Sequence, residues 1–511
     1  AHEVEDGLRR LASTARDVLP RHRNMVAVFD HSWQLLNARE QTILRTLSLL
    51  RGGFTLEAAE AVAQASVSDL AGLLDASWIR LRPSGRYDIH ELVRQYCEGH
   101  LSADPAAADQ ARSRHCAFFG NLLGKLTKRM NYQQSVMTEL MADFGNLQVA
   151  WQWGVEHGQM DMARDMTISL FFIAEMLGWY HFVIQSYAPI ATTLEHMIAA
   201  PTTDLDLRNG ACVVLAWMEN AQAFIYNHLG QAVQARRSAE HLQRLAESME
   251  ESASRDELLL LYPHPMAWIS FTSGDVRTAY ALFSHNLDIF QAAANDFTLY
   301  GSEIGAKFWS AHALVGIAAS ETIFGHYQAA VKRWEEVLAL REAMGEQRFM
   351  AFNLCEYAET VTFVGDLEFA LGLAQRGLAF SEACGDQVGV AEARLRLGTI
   401  SAEQGQWAVA VGYLQQCLAF GRQSGNRGLQ VGALVTLAQV ALSEGDIAAA
   451  MAHCNEAMAA ASVSLPYLHL AAVLVQLGQC SFAAGDLPAA RRYYAQALGQ
   501  APNSAAWYML D

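Results

Sequence analysis

The chain has 511 residues, too many for one compact core, so several domains or a repeat array are expected. Apolar residues make up 52% and prolines number only 10, which excludes disorder as the main state and favours helix over strand. The formal net charge of −17 repels phosphate backbones and argues against nucleic-acid binding by the chain as a whole.

Residues 1–23 read as a linker or the end of a preceding helical domain. The chain opens on Ala1 with its first helix starting mid-domain, so a piece of a longer protein is expected. Residues 24–105 form a first module. A helix runs through "MVAVFDHSWQLL". Asn37 caps a second, "AREQTILRTLSLL", which Gly52-Gly53 breaks. Thr55 caps a third, "LEAAEAVA", and a fourth lies near Val67–Ala76. "WIRLR", a "PSG" turn and "RYDIH" predict a hairpin, and "ELVRQYCEGHL" a closing helix. Helices followed by a small hairpin give a winged helix-turn-helix plan.

The segment "GNLLGKLT", Gly120 to Thr127, is the nearest approach to a phosphate loop. It has three residues between its glycines instead of four, puts Leu126 where a magnesium-binding hydroxyl belongs, and lies in a helical pattern, so it is rejected. Residues 106–205, including "ELMADFGNLQVAWQWGVEHGQMDMARDMTISL", read as a divergent helical start of a repeat array.

Residues 206–511 carry the array itself. Gly325, Gly365, Gly405, Gly445 and Gly485 recur every 40 residues, with less regular copies at Gly230 and Gly274. Five residues after each stands an alanine, from Ala235 to Ala490. Seven before each stands Ala223, Ala267, Ala318, Ala358, Gly398, Ala438 or Gly478. A glycine that permits a left-handed turn joins two antiparallel helices, and small residues let them approach closely. Each pair is amphipathic and buries its face only by stacking on its neighbours. This pattern resembles the tetratricopeptide repeat. Gly478, Gly485, Ala490, Tyr494, Ala497 and Pro502 fall at that motif's small, aromatic and proline positions, with a period longer than the usual ~34. The longer period is similar to that of bacterial sensors such as the maltotriose-responsive activator. The expected fold class is therefore all-α: a winged-helix module with a small β-hairpin, then a tetratricopeptide-like α-solenoid superhelix.

With a repeat array downstream, "PRHRNMVAVFDHSWQLL", "RGGFTLEAAEAVA" and "YDIHELVRQY" resemble the winged-helix domain of STAND signalling ATPases, over about 80 residues. The resemblance implies a nucleotide-binding domain before the winged helix, a repeat sensor after it, and a Met-His-Asp-type motif matched here by Ile89, His90 and Glu91. It implies that His90 holds the β-phosphate of ADP in the intact protein. No nucleotide-binding domain is legible, so no cofactor is expected in this fragment; ADP or ATP belongs to the intact protein by resemblance.

In tetratricopeptide superhelices the first helix of each pair lines the concave face. Counting from the first small residue, the inward positions are Trp217, Asn220, Phe224 and Asn227, then Leu261, His264, Trp268 and Phe271, then a set that includes His312. Rigid aromatics mixed with Asn and His suit a recognition surface. Trp217, Asn220, Phe224, Asn227, His264, Trp268, Phe271 and His312 are therefore the candidate site for an inducer ligand or protein. The same aromatics would also fill a tighter, irregular stretch of solenoid. Later sets offer Glu359 and Glu392 among smaller residues. "YPHPM", Tyr262 to Met266, is a kink or the loop before a shorter helix.

No catalytic signature is present, so an enzyme is not expected. Eight scattered cysteines form no CxxC pair and no zinc spacing, which reads as buried free thiols in a reducing cytoplasm, with no metal. No run reaches membrane-spanning length. Two alternatives stay open, a constitutive protein-interaction scaffold and a DNA-binding regulator that uses the winged helix. Against the latter, the candidate groove helix "VSDLAGLLDA" carries Asp69 and Asp75 and no base, while Arg80, Arg82 and Arg86 sit on the wing.

Overall fold

The computed structural model describes residues 20–130, 134–201, 203–292, 305–461 and 467–499. Residue contacts divide the chain into two compact units, one running to Lys125 and including Thr138–Gly154, the other taking Leu126–Met137 and Val155 onward.

In the first unit, α1 (Pro20–Gln34), α2 (Ala38–Leu47), α3 (Leu56–Ala63) and α4 (Val67–Asp75) precede a two-stranded hairpin and α5 (Glu91–Ser102). The starts follow their caps. Asn37 accepts from the backbone of Arg39 and Glu40 while Glu40 returns the bond, Ser66 and Asp69 make the same reciprocal box on α4, and Thr55 caps α3 by accepting from the Ala58 backbone. The hairpin pairs β1 (Arg80–Leu81) with β2 (Tyr87–Asp88), antiparallel. The helices and the hairpin follow one another in the order read from the sequence. Parts of two long helices, α6 (Pro105–Met130) and α7 (Gln134–Glu156), complete the unit. The rejected "GNLLGKLT" segment is helical within α6. Asp143 of α7 takes two bonds from the Arg86 guanidinium, and Asn146 Oδ1 accepts from the Arg51 backbone at 2.6 Å.

The second unit opens with α8 (Met160–Leu177) and α9 (Tyr180–Ala199), then runs as stacked antiparallel pairs. These are α10 (Leu205–His228) with α11 (Ala232–Glu247), and the split helix α12 (Ala253–Leu261) and α13 (Pro263–Thr272) with α14 (Val276–Ala292). They continue as α15 (Gly305–Ile323) with α16 (Tyr327–Met344), α17 (Gln347–Val364) with α18 (Leu367–Cys384), and α19 (Gln387–Glu403) with α20 (Trp407–Ser424). The last are α21 (Arg427–Ser443) with α22 (Ile447–Ala461) and α23 (Tyr467–Ala483) with α24 (Leu487–Gly499). Pro263 stands at the first position of α13, where its missing N–H costs nothing, so "YPHPM" splits a helix between Leu261 and Pro263 instead of forming a loop.

All seven glycines of the expected series take positive φ, from +71° to +92°. The small residues before them are where helices cross. A Cβ on Gly398 would stand 2.6 Å from Leu414, and one on Gly478 2.6 Å from Tyr494. A second series escaped the sequence reading. Gly345, Gly385 and Gly425 also have positive φ and end α16, α18 and α20, so left-handed glycines punctuate 325–445 every 20 residues, within pairs and between them. Of the motif positions, Pro502 lies outside the described residues, as does most of the 1–23 segment.

The array also curls back on itself. Gly178, at the C-cap of α8, lies so close to α20 that a Cβ there would stand 2.8 Å from Ser424. Asn426 Nδ2 donates to the Tyr180 hydroxyl at 3.5 Å across 246 residues of sequence. This seam sets α8 against α17 and α19 on the inner, lumenal side of the array.

Candidate ligand-binding site

The inward helices bring several of the expected residues together. Phe171 lies 6.2 Å from Phe224, Phe224 5.8 Å from His264, and His264 5.7 Å from His312, measured between ring centroids. His312 stands 4.9 Å from Phe349, Phe349 6.3 Å from Phe172, and Phe172 5.4 Å from Phe171. The six rings form a closed cycle drawn from α8, α10, α13, α15 and α17. All but His264 keep some exposure. Trp268 and Phe271 gather instead around Phe283, with Trp268 5.0 Å from it and Phe271 5.8 Å from Trp268. Asn227 Oδ1 accepts from the Thr272 hydroxyl at 2.6 Å. Trp217 and Asn220 are buried within α10, at 4% and 3% exposure.

Burial dictates the chemistry of the two histidines. It lowers His264 to about 3 and drives His312 well below its ordinary value, with Arg341, His264 and Arg348 adding to the latter. Both imidazoles are neutral at pH 7. His264 Nδ1, His312 Nε2 and Asn220 Oδ1 are buried without a hydrogen-bond partner. Such atoms are few in folded proteins and mark places where something else completes the bonding.

A charged layer lies along the same helices. Arg396 of α19 donates to Glu359 at 2.7 Å and to Glu356 at 3.0 Å, and Glu392 sits one turn before it. Glu175 of α8 meets His228 of α10 at 3.2 Å. Tyr180 stacks on His228 at 5.4 Å and carries the seam's hydrogen bond to Asn426. Arg348 and Asp386 pair at 3.4 Å beside Phe172 and Phe349. Burial raises Glu392 to about 7 and raises Glu359; Arg396 opposes both shifts and Glu356 adds to both. Burial works against charge on His228, but Glu175 outweighs it and the pKa rises. These side chains are enclosed by protein yet keep contact with solvent, Arg396 at 16% and Glu359 at 39% exposure, as the lining of a lumen should.

Sequence reasoning passed over several of these residues. Glu359 and Glu392 occupied inward positions but were set aside as belonging to plainer repeats. Phe171, Phe172 and Glu175 fall in α8, ahead of the regular pattern, and no periodic signal marked them.

In the first unit, His90 is the N-cap of α5, and its Nδ1 accepts from the Leu92 backbone at 3.3 Å. Nε2 makes no hydrogen bond among the described residues. Its motif neighbours Ile89 and Glu91 border a hollow of about 240 Å³ that Arg51, Arg80, Arg82 and Arg94 also line. Each of these arginines is paired with a carboxylate, Arg51 with Glu98, Arg80 and Arg82 with Asp88, and Arg94 with Glu91 and Glu98. Arg86 pairs with Asp143, so the wing's three arginines are already neutralised. On α4, Asp69 serves as a cap residue, held well below its usual range by Arg39 and Ser66.

No protein-family model matches the chain. A Signal Transduction ATPase with Numerous Domains (STAND) protein with a tetratricopeptide repeat sensor, from Pyrococcus horikoshii, superposes over 96% of this chain and 66% of its own, with a TM-score of 0.50 and 14% identity. The chain resembles a STAND protein. At that identity the likeness is one of fold, and it spans helix–hairpin module and array alike. Proteins of Mycobacterium tuberculosis and Mycobacterium bovis, named as candidate HTH-type transcriptional regulators, are 29% identical over 205 residues. The match takes in 36% of this chain and 23% of each relative, so the chain corresponds to less than a quarter of their length. Among the described residues no helix is long and apolar enough to cross a membrane, and no group of His, Cys, Asp or Glu has the geometry to hold a metal ion.

Proposed function

We propose that this chain is the sensing part of a cytoplasmic STAND-type signalling regulator and performs no catalysis itself. An inducer binds in the lumen of the repeat unit. The helix–hairpin module passes the change to a nucleotide-binding domain, where His90 holds the β-phosphate of ADP in the resting state. Bound nucleotide supplies the energy difference between the two states; this chain's part is to bind and relay. The observation that carries the reading is the closed aromatic cycle with buried, unpartnered polar atoms on its wall. His264 Nδ1 and His312 Nε2 stand on that cycle, where a ligand would complete their bonding. The mycobacterial relatives support transcription as the output of the whole protein.

Native mass spectrometry of the full chain, after incubation with the small-molecule fraction of its source cells, tests this. A discrete added mass is expected, lost in Phe224→Ala and retained in a control on the outer helix α20, Val409→Ala. No added mass, or one indifferent to Phe224→Ala, would overturn the lumen as the sensing site.

A further inference from the structure

The charge of the lumen specifies its ligand more narrowly than "inducer". Five carboxylates, Glu175, Glu356, Glu359, Asp386 and Glu392, share the enclosed charged layer with two arginines, Arg348 and Arg396, and with His228. Burial already drives Glu359, Asp386 and Glu392 toward their neutral forms, and an anion entering here would find no spare cation to pair with, whereas a cation would restore their charge. The unpartnered atoms point the same way. Asn220 Oδ1, in a residue only 3% exposed, and Glu175 Oε1 are acceptors without a donor. Asn220, Phe224 and His228 follow one another at four-residue steps on one face of α10, so the open acceptor lies on the lumen-lining stripe. An ammonium offers three donors and no acceptor, and a guanidinium five. The aromatic cycle begins one turn away on the same helices. Phe171 and Phe172 lie one turn before Glu175, and Phe224 one turn before His228. Its imidazoles add no positive charge.

We propose that the lumen takes an organic cation: an ammonium or guanidinium group on an apolar body, the cation among Glu175, Glu359 and Glu392 and the body against Phe171, Phe172, Phe224 and Phe349. This rests on the reading of the lumen as the sensing site and fixes its ligand class. Aromatic faces suit a cation with an apolar body, since they attract the charge as well as the carbon framework.

Isothermal titration of the full chain with three probes of one chain length tests it: 3-phenylpropylammonium, neutral 3-phenylpropan-1-ol and anionic 3-phenylpropionate. The ammonium is expected to bind at least tenfold more tightly than the other two. Glu392→Gln and Glu359→Gln, close in shape to the residues they replace, should each weaken it by about tenfold. Phe224→Ala should weaken it as well, and melting curves confirm that each variant folds. If the alcohol or the carboxylate binds as well as the ammonium and Phe224→Ala abolishes it, the lumen stands as a site and the cation is overturned. Ammonium binding indifferent to Phe224→Ala and both glutamine variants, or no binding by any probe, also overturns the cation, while the native mass spectrometry above decides the lumen separately.

Discussion

Single residues in the repeat unit carry energies large enough to measure. Arg341 and Glu346 are 0% and 1% exposed and paired at 2.7 Å, with Arg341 also bonded to Asn353. Removing one partner of such a pair strands the other charge, at a cost of about 3–5 kcal/mol, whereas replacing both by apolar residues is close to neutral. Arg341→Met should therefore lower the urea midpoint sharply, and Arg341→Met with Glu346→Leu should recover most of the loss; a double variant as weak as the single one would show that the ion pair is not the source. His264 gives a pH signature. Its folded pKa of about 3 lies below the ordinary 6.5, so the unfolded chain binds the extra proton between those values. Stability is complete above pH 6.5 and falls as pH drops toward 3, by about 1.4 kcal/mol per pH unit for this one group. Glu392 acts in the opposite sense: with a folded pKa of about 7 against 4.5, its contribution is complete below pH 4.5 and lost as pH rises through 7. Stability curves between pH 4 and 7 should lose one proton of slope in His264→Gln and steepen in Glu392→Gln, and curves parallel to the parent's would contradict both assignments.

At the scale of the helix pair, the glycine at the turn and the small residue at the crossing do different work. Gly405 has φ of +71° and open space where a Cβ would go, so Gly405→Ala meets only backbone strain, about 1 kcal/mol. Gly398 is helical, and there a Cβ would press on Leu414 at 2.6 Å and approach the Ala410 carbonyl at 3.4 Å. Gly398→Ala should cost more, about 1–3 kcal/mol. Chemical denaturation of the two variants checks the order, and a larger loss from Gly405→Ala would reverse the roles. The pairs were legible in the sequence because both devices recur at one fixed spacing. The glycines between pairs were equally legible, since Gly345, Gly385 and Gly425 also recur every 40 residues, each six residues after an alanine (Ala339, Ala379, Ala419), but counting from the within-pair turns passed over them. The caps of the first module were legible for a similar reason: Asn37 and Thr55 act on backbone groups two or three residues away, so the local sequence holds the whole motif.

Across the whole repeat unit, the lumen depends on a seam that no local pattern announces. Counting inward positions along single helices reached Phe224, His264 and His312, which share the aromatic cycle. It could not join Glu175 to the layer of Glu392 and Arg396, because the curl that brings α8 to α19 closes over more than 200 residues and is set by the summed tilt of the intervening pairs. The seam itself is tight at Gly178, which has φ of +70° and lies against Ser424 and Phe420. Gly178→Val should pry it open, raising the radius of gyration in solution scattering while helix content by circular dichroism stays the same; an unchanged radius would show that the seam is not closed by this contact.

Inducer binding by the inner helices of the repeat unit is the proposal on which the rest depends. Hydrogen exchange of the full chain, with and without the small-molecule fraction of its source cells, tests that claim residue by residue. Slower exchange in the inner helices α8, α10, α13, α15, α17 and α19 is predicted, since these carry the aromatic cycle together with Glu175, Glu359 and Glu392. Protection confined to the outer helices α16, α18 and α20, or none at all, would contradict it.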